Sequence, residues 1–484
     1  MHYSSSLVTV FFLLLFQIAG SQDIGANYNE GLSEIDPQLI DDSNVKWVRG
    51  FVNMSNFLRI ENQAITDVRR VAIDNFDGID NLKAASQVPV EGGGTVKVIF
   101  SLKFQFKAQD VGPPVDATER ELLREAVFRL LDKENIWEHI DILVVGNEPM
   151  WETPDNQTDI DLLVTWTNYI IDELFEYRSN NANVNFKIYA GALNRYSSLT
   201  SNSIRNAILN IAKNNSKVEG LDIHSHVMNF QELQNDVSYI RDVENFTKEI
   251  IFTEFSLHRL LQSKLNDNLG SWGIANGYSS TMKLYEWINT YLEAAENATP
   301  KSKAEFLDYF NSQSWYPQNW FEAYFQGFCN SNVTAATYGF TRFQDPPNFR
   351  LEPDSPAWVL NAIYNDALFG KPSDGYDNTN PINFSNFNAI MTGVSTCNNL
   401  SIDELQNLDV VIYPNPSKGI LNIKFNSVND FDTIDILTVY GQKLMSMNIE
   451  STKQTIDLSS FSSGLYVFSF KNNSKSLIKK IIIN

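Results

Sequence analysis

Two glutamates stand where a buried strand gives way to a polar turn. Residues 141–151 read DILVVGNEPMW, in which Asp141 to Gly146 is an apolar run with no alternating polar face. Such a run suits a strand covered on both sides, and Pro149 stops the ladder just past Glu148. Residues 249–258, EIIFTEFSLH, form a second β-type run that delivers Glu254. Enough chain lies between the two for several strand–helix units. Carboxylates on the ends of different strands suit cleavage of a glycosidic bond, where one is acid and base and the other nucleophile. Asn-Glu-Pro by itself is also an ordinary turn sequence, so it is the second carboxylate that carries this reading.

Hydrophobic periodicity gives the elements that must position the pair. Strands are expected at Gly25 to Leu32, Lys46 to Asn53, Val96 to Phe104, Asp141 to Gly146, Phe186 to Asn194, Gly220 to Val227, Ile250 to Phe255 and Ala336 to Phe343. On the second of these, Trp47, Arg49, Phe51 and Asn53 share one face by the period of two. Thr118 with Glu121 is a capping-box signature ahead of the stripe Leu122, Leu123, Ala126, Val127, Leu130 and Leu131, and Asp161 to Tyr177 reads as another helix. The segment Ser256 to Val333 is far longer than an ordinary connection. Its aromatics predict helices and loops that wall the top of the sheet and decide between cleft and pocket. The run 355–369, SPAWVLNAIYNDALF, closes the ring. Alternating strands and helices argue for a parallel sheet, and a count near eight for a (β/α)8 TIM barrel, an α/β fold. A doubly wound dinucleotide fold would need a glycine-rich loop after the first strand, which the sequence lacks.

On Asn147, Glu148 and Glu254, residues 23 to about 370 resemble a clan A glycoside hydrolase. The resemblance implies that Glu148 is the acid/base at the end of strand four and Glu254 the nucleophile at the end of strand seven. It implies retention of configuration, and that Asn147 meets the sugar 2-hydroxyl. Arg49 resembles the strand-two arginine of several clan families, which would hold Glu254 ionised. A pair buried for structure alone is the competing reading. The charge of Glu254 is expected to help keep Glu148 protonated. Strand eight carries Tyr338 and Phe340 where many clan members present a tryptophan to the cleaved sugar.

Other residues could take part. His224 and His226, with Asp222, point to one side of strand six. A His-x-His can bind zinc. With only five histidines in the chain the ligand set is thin, and a hydrogen-bonding partner to sugar or nucleophile is the preferred role. The scheme calls for no metal and no cofactor. Trp151, three residues past Glu148, and Trp272, Trp315 and Trp320 are candidate sugar platforms. Lys103 and Arg342, if they face the cleft, would favour an anionic polysaccharide.

The whole chain sets the remaining bounds. A formal net charge of −21 and a pI near 4.7 argue against nonspecific binding to nucleic acid or anionic membrane. Leu7 to Ala19 is an apolar run too short to span a bilayer, followed by the small residues Ala19-Gly20-Ser21, so residues 1–21 read as a signal peptide. Its first residues lack Lys and Arg, which leaves an uncleaved anchor as the competing reading. Residues 22–370 form the expected catalytic domain, and 371–407, rich in Asn, Ser, Pro and Asp, a linker. Cys329 and Cys397 could pair after export or be unrelated thiols.

Residues 408–484 switch to short alternating strands and predict a small all-β sandwich. YPNPSKGILNI (413–423), VYGQKL (439–444), GLYVF (464–468) and KKIII (479–483) occur in that order. They resemble the C-terminal sorting domain of the type IX secretion system. This implies that machinery as a partner, a secreted or cell-surface protein, and no integral membrane span after processing. The expected function is a retaining glycoside hydrolase acting on a polysaccharide or oligosaccharide. A catalytically silent glycan-binding surface protein and a transglycosylase using the same two carboxylates are the alternatives.

Overall fold

The computed structural model describes residues 23–397 apart from 343–345, 347 and 373–377, and residues 411–483 apart from 414–416, 418, 426–430, 439–442 and 473–475. The segment read as a signal peptide lies outside the described residues, as do the first four residues of the VYGQKL motif and the whole of the segment 398–410. The chain divides into two compact units, 1–397 and 398–484.

In the first unit eight parallel strands close into a barrel: β1 (Asp23–Asn27), β2 (Trp47–Asn53), β3 (Lys97–Lys103), β4 (Ile142–Val145), β5 (Lys187–Asn194), β6 (Gly220–His226), β7 (Glu249–Ser256) and β8 (Ala335–Gly339), each beside its neighbour in sequence and β8 beside β1. All eight expected strands occur. The inward faces explain how an apolar barrel hosts a polar site. Trp47, Ile99, Ile142, Val144, Tyr189, Ile251 and Ala335 fill the lower interior. Two residues further along four of these strands the same face carries Arg49, Ser101, Thr253 and Thr337, all with no exposed surface. The period of two thus moves each strand from a dry plug to a polar layer in one step.

The helix at Ala117–Asp132 buries Leu123, Ala126, Val127, Leu130 and Leu131, as the stripe predicts, with Leu122 only half-buried. Its cap differs from the expected Thr118. Asp116 is the N-cap, and its carboxylate accepts from the Glu119 backbone N–H at 3.0 Å. Glu119, three residues on, is buried and accepts from the Val115 and Ile65 backbone N–H groups. That second bond joins the helix to an antiparallel hairpin, Leu58–Glu61 with Ala64–Val68, that the sequence reading missed.

The long segment after β7 folds into five helices, His258–Lys264, Gly270–Ala275, Leu284–Glu296, Lys303–Ser312 and Trp320–Asn330. Their aromatics pack on one another: Trp272 against Trp287 and Tyr309, and Trp287 against Tyr291 and Phe306. The run 355–369 is a 3-10 turn at Trp358–Leu360, a two-residue strand and a short helix. The expected linker 371–407 begins too early. Residues 384–391 form a helix that buries Phe387, Ile390 and Met391 in the barrel unit, and Cys397 is disulfide-bonded to Cys329. Composition misled here because Asn383 and Asn380 spend their side chains on buried contacts to Tyr338 and to backbone carbonyls.

The second unit is a sandwich of two antiparallel sheets. One contains Val411–Tyr413, Ile420–Lys424 and Lys453–Asp457, the other Lys443–Asn448, Thr433–Thr438, Gly464–Lys471 and Ser476–Ile483. Leu421, Ile423 and Ile456 from the first share a core with Ile434, Ile436, Phe468, Phe470 and Ile481 from the second.

The cap assignment is testable. Asp116→Ala is expected to lower stability by about 1 kcal/mol, the usual worth of an N-cap, while Thr118→Ala leaves it nearly unchanged. Urea unfolding of both variants measures the difference, and equal losses would contradict the assignment.

Candidate active site

Arg49 on β2 is buried with no exposed surface and cannot shed its charge, so acceptors must surround it. Its Nη1 donates to Glu254 Oε1 at 2.8 Å, to Asn27 Oδ1 at 3.2 Å and to Asn29 Oδ1 at 3.3 Å, and its Nη2 to Asn147 Oδ1 at 2.6 Å. These partners come from β1 and its loop, the end of β4, and β7. One guanidinium therefore gathers three separate parts of the barrel rim.

Glu148 reaches the same place by a tight turn. Gly146 has φ +104°, and a Cβ there would lie 2.2 Å from the Gly191 carbonyl oxygen, so only glycine lets β4 pass. Glu148 itself is left-handed at φ +48° and opens the short helix Pro149–Glu152. Its backbone N–H donates to the Ala192 carbonyl at 3.0 Å, and its Oε1 accepts from Asn194 Nδ2 at 2.6 Å and meets His224 Nδ1 at 3.0 Å. Asn194 was not singled out from sequence. Its position at the end of β5, facing the polar layer, was the available signal.

His224 links the two glutamates. Its Nδ1 faces Glu148, and its Nε2 lies 3.0 Å from Thr253 Oγ1 and 3.6 Å from Glu254 Oε1. His226 Nε2 lies 3.3 Å from Glu254 Oε2, and its Nδ1 2.8 Å from Ser256 Oγ. Behind them Asp222 is fully buried on Thr253.

The charges follow from these contacts. Burial pushes the Glu254 carboxyl up, but His224, His226 and Arg49 outweigh it and hold it well below the ordinary range. Burial likewise pushes Glu148 up, and the hydrogen bond and charge of His224 bring it below its ordinary value. His224 is pulled down by burial and raised further by Glu254 and Glu148, ending above its ordinary value. The expectation that the charge of Glu254 helps keep Glu148 protonated is right in the sign of its effect, but the net shift is downward. The repulsion from Glu254 is real, but the hydrogen bond and charge of His224 outweigh it, which draws the shared proton toward the imidazole.

Both carboxylates line a cavity of about 410 Å³ together with Asn147, His226, Phe51, Lys103, Arg342 and Trp358. Lys103 does face the cleft, yet it is paired at 3.2 Å with both Glu30 and Glu152. Trp151 lies off this wall, 44% exposed, with the Arg195 guanidinium over its ring. Trp272 and Trp320 are core residues, the first bonded to Asp308 and the second packed on Phe255 and Tyr338. Trp315 packs on Phe310 and Tyr316 in the same helical insert. Trp358, which the sequence reading passed over, is the tryptophan on the wall. It stacks on His258 at 3.8 Å between centroids and meets His226 edge-on at 4.9 Å. Burial, with the charges of His226 and two arginines, pushes His258 down to about 3, so it backs the indole as a neutral ring. Among the described residues no helix of the long segment 256–333 lines this cavity. Its far wall comes from 339–361 instead.

One donor atom each from Glu148, His224 and His226 lies within 4.8 Å of the others, a set that could hold a metal ion. The imidazole nitrogens are already committed to Glu148, Thr253, Glu254 and Ser256, and Arg49 places a fixed positive charge on the same carboxylate. The contacts are those of a hydrogen-bonded carboxylate pair.

No helix among the described residues is long and apolar enough to cross a membrane. Comparison with curated proteins finds no match. Among solved structures the chain is similar to Bacteroides uniformis beta-glucuronidase 2, at 8% identity and a TM-score of 0.38, covering 96% of this chain and 46% of that one. It is similar to an FMN-binding beta-glucuronidase from Facaelibacterium prausnitzii L2-6, at 10% identity and 0.41, covering 96% and 56%. A Cellulomonas fimi endo-beta-1,4-mannanase double mutant gives 10% and 0.38, covering 96% and 94%. This chain thus spans about half the length of the two glucuronidases. Residues 411–484 match the family of secretion system C-terminal sorting domains, which places the protein outside the cell, secreted or held at the surface.

Proposed function

We propose that the barrel unit is a retaining O-glycosyl hydrolase of the clan A type, acting on a polysaccharide outside the cell after export by the type IX machinery. The observation that carries the reading is the unequal treatment of two carboxylates on one cavity. Glu254 is held ionised by Arg49 and His226, and Glu148 shares a proton with His224. An arginine-anchored anion suits a nucleophile, and a carboxyl with an exchangeable proton suits an acid and base.

In the forward step Glu254 attacks the anomeric carbon while the glycosidic oxygen takes the proton of the Glu148/His224 pair. Forming the ester removes the charge of Glu254, one of the groups that raise His224. The imidazole then has less hold on a proton, and Glu148 is left as the base that activates water. Water's proton returns to the pair, its hydroxyl goes to the anomeric carbon, and Glu254 leaves ionised. Asn147, fixed by Arg49, stands beside the acid/base where it would meet the 2-hydroxyl, and Trp358 offers the aromatic surface for the sugar ring.

The test is reducing-end release from neutral, sulfated and uronic polysaccharides. Glu148→Gln and Glu254→Gln are each expected to lose on the order of 10³-fold or more in kcat. The substrate that responds decides between neutral and anionic chains. Survival of activity in both variants would displace the assignment, and a wild type that binds a glycan but cleaves none of the panel would make this a glycan-binding protein. Arg49→Gln is a second test. Loss of the guanidinium lets the Glu254 carboxyl rise, so the acid limb of kcat/KM moves to higher pH. An unmoved limb would mean that Arg49 serves structure alone.

A further inference from the structure

Three side chains behind the carboxylates are not themselves part of the cavity lining. Asp222, Thr253 and His224 are each fully buried. Thr253 donates its hydroxyl to Asp222 Oδ2 at 2.6 Å and its backbone N–H to Oδ1 at 3.1 Å. A hydroxyl has one proton to give. With it committed to Asp222, Thr253 Oγ1 can meet His224 Nε2, 3.0 Å away, only as an acceptor. Nε2 therefore carries a hydrogen, and the one nitrogen of His224 free to gain or lose a proton is Nδ1, 3.0 Å from Glu148 Oε1.

We propose that Asp222 and Thr253 are positioning residues that fix His224 in the Nε2-protonated form, so that its exchangeable proton lies on the Glu148 side alone. The role in turnover rests on the glycosidase reading, whereas the tautomer does not. Without the relay the imidazole could carry its hydrogen on Nδ1 and leave Nε2 bare toward Glu254. The proton shared with Glu148 would then no longer be the one that titrates.

The charged and titratable groups around His224 agree with this arrangement. Glu148 after β4 accepts at Nδ1. Asp222 and His226 flank it on β6, the two imidazole centroids 5.9 Å apart. Glu254 on β7 lies 3.6 Å from Nε2. Arg49 on β2 supplies the positive charge that, with His224, opposes the upward pull of burial on Asp222. Asn194 on β5 donates to the Glu148 oxygen that His224 faces, which disposes that oxygen to accept rather than donate. In the forward step the Nδ1 proton passes by way of Glu148 to the leaving oxygen, which leaves His224 neutral and Glu148 ionised. In the return step water's proton travels the reverse way, so the pair ends as it began.

The experiment is nitrogen NMR of the mature chain labelled with ¹⁵N-histidine, which the five histidines of the sequence keep simple, with His224→Gln to assign the resonance. His224 is expected to be protonated at Nε2 throughout its titration, with Nδ1 alone changing. Thr253→Val keeps the size of the side chain but removes the acceptor, and is expected to lower the His224 midpoint by about one pH unit or more. Thr253→Ser is expected to restore it. On a polysaccharide that the wild type cleaves, the basic limb of kcat/KM moves down with the same variant and back with Thr253→Ser. An Nε2 without hydrogen in the wild type, or a midpoint unmoved in Thr253→Val, overturns the proposal. The tautomer is read without turnover, so a wild type inert on every polysaccharide would sink the glycosidase reading and leave this result standing.

Discussion

The structure of the rim depends on one buried charge. Arg49 has no exposed surface, and an ion taken out of water costs several kcal/mol unless its partners replace hydration. Here the replacement is shared among Asn27, Asn29, Asn147 and Glu254. The fold must bring those four together for the barrel to close over an arginine at all. The same constraint orients the site, because Glu254 and Asn147 are held by the guanidinium whose donors they accept. A structural necessity and a catalytic arrangement are satisfied by the same contacts.

The second constraint is the polar layer laid over an apolar plug. Trp47, Ile99, Ile251 and Ala335 keep water out from below, so the groups above them interact in a poorly screened medium. That is why His224, wedged between Glu148 and Glu254, outweighs the repulsion between the carboxylates. It also separates their roles. Glu254 meets the permanent charge of Arg49, while Glu148 meets a group that can lose its proton.

The cavity shows how far a loop can replace a strand position. Strand β8 buries Tyr338, and Phe340 just beyond it is buried too, so neither ring reaches a sugar. The 3-10 turn at Trp358–Leu360 brings an indole to the wall instead, backed by the neutral ring of His258. The five-helix insert spends its tryptophans on packing within itself and against the barrel strands. Aromatic content therefore marked the insert in the sequence without marking the site.

The sequence by itself determined the barrel, its eight strands, the two carboxylates and the sandwich that follows. Each of these rests on local pattern: apolar runs ended by Asn147-Glu148-Pro149, period-two faces such as Trp47 and Arg49, and short alternating strands after residue 411. Local pattern also placed His224 and His226 inward. It could not reveal their partners, because Glu148, Thr253, Glu254 and Ser256 meet them from other strands and their ends, and a side chain's state is set by what faces it rather than by its neighbours in the chain. For the same reason the contacts that raise His224, the pairing of Lys103 with Glu30 and Glu152, the Cys329–Cys397 bond and the inward packing of residues 384–391 were decided only by the tertiary structure. Periodicity fixes which way a residue points, and only the closed barrel fixes what it meets there.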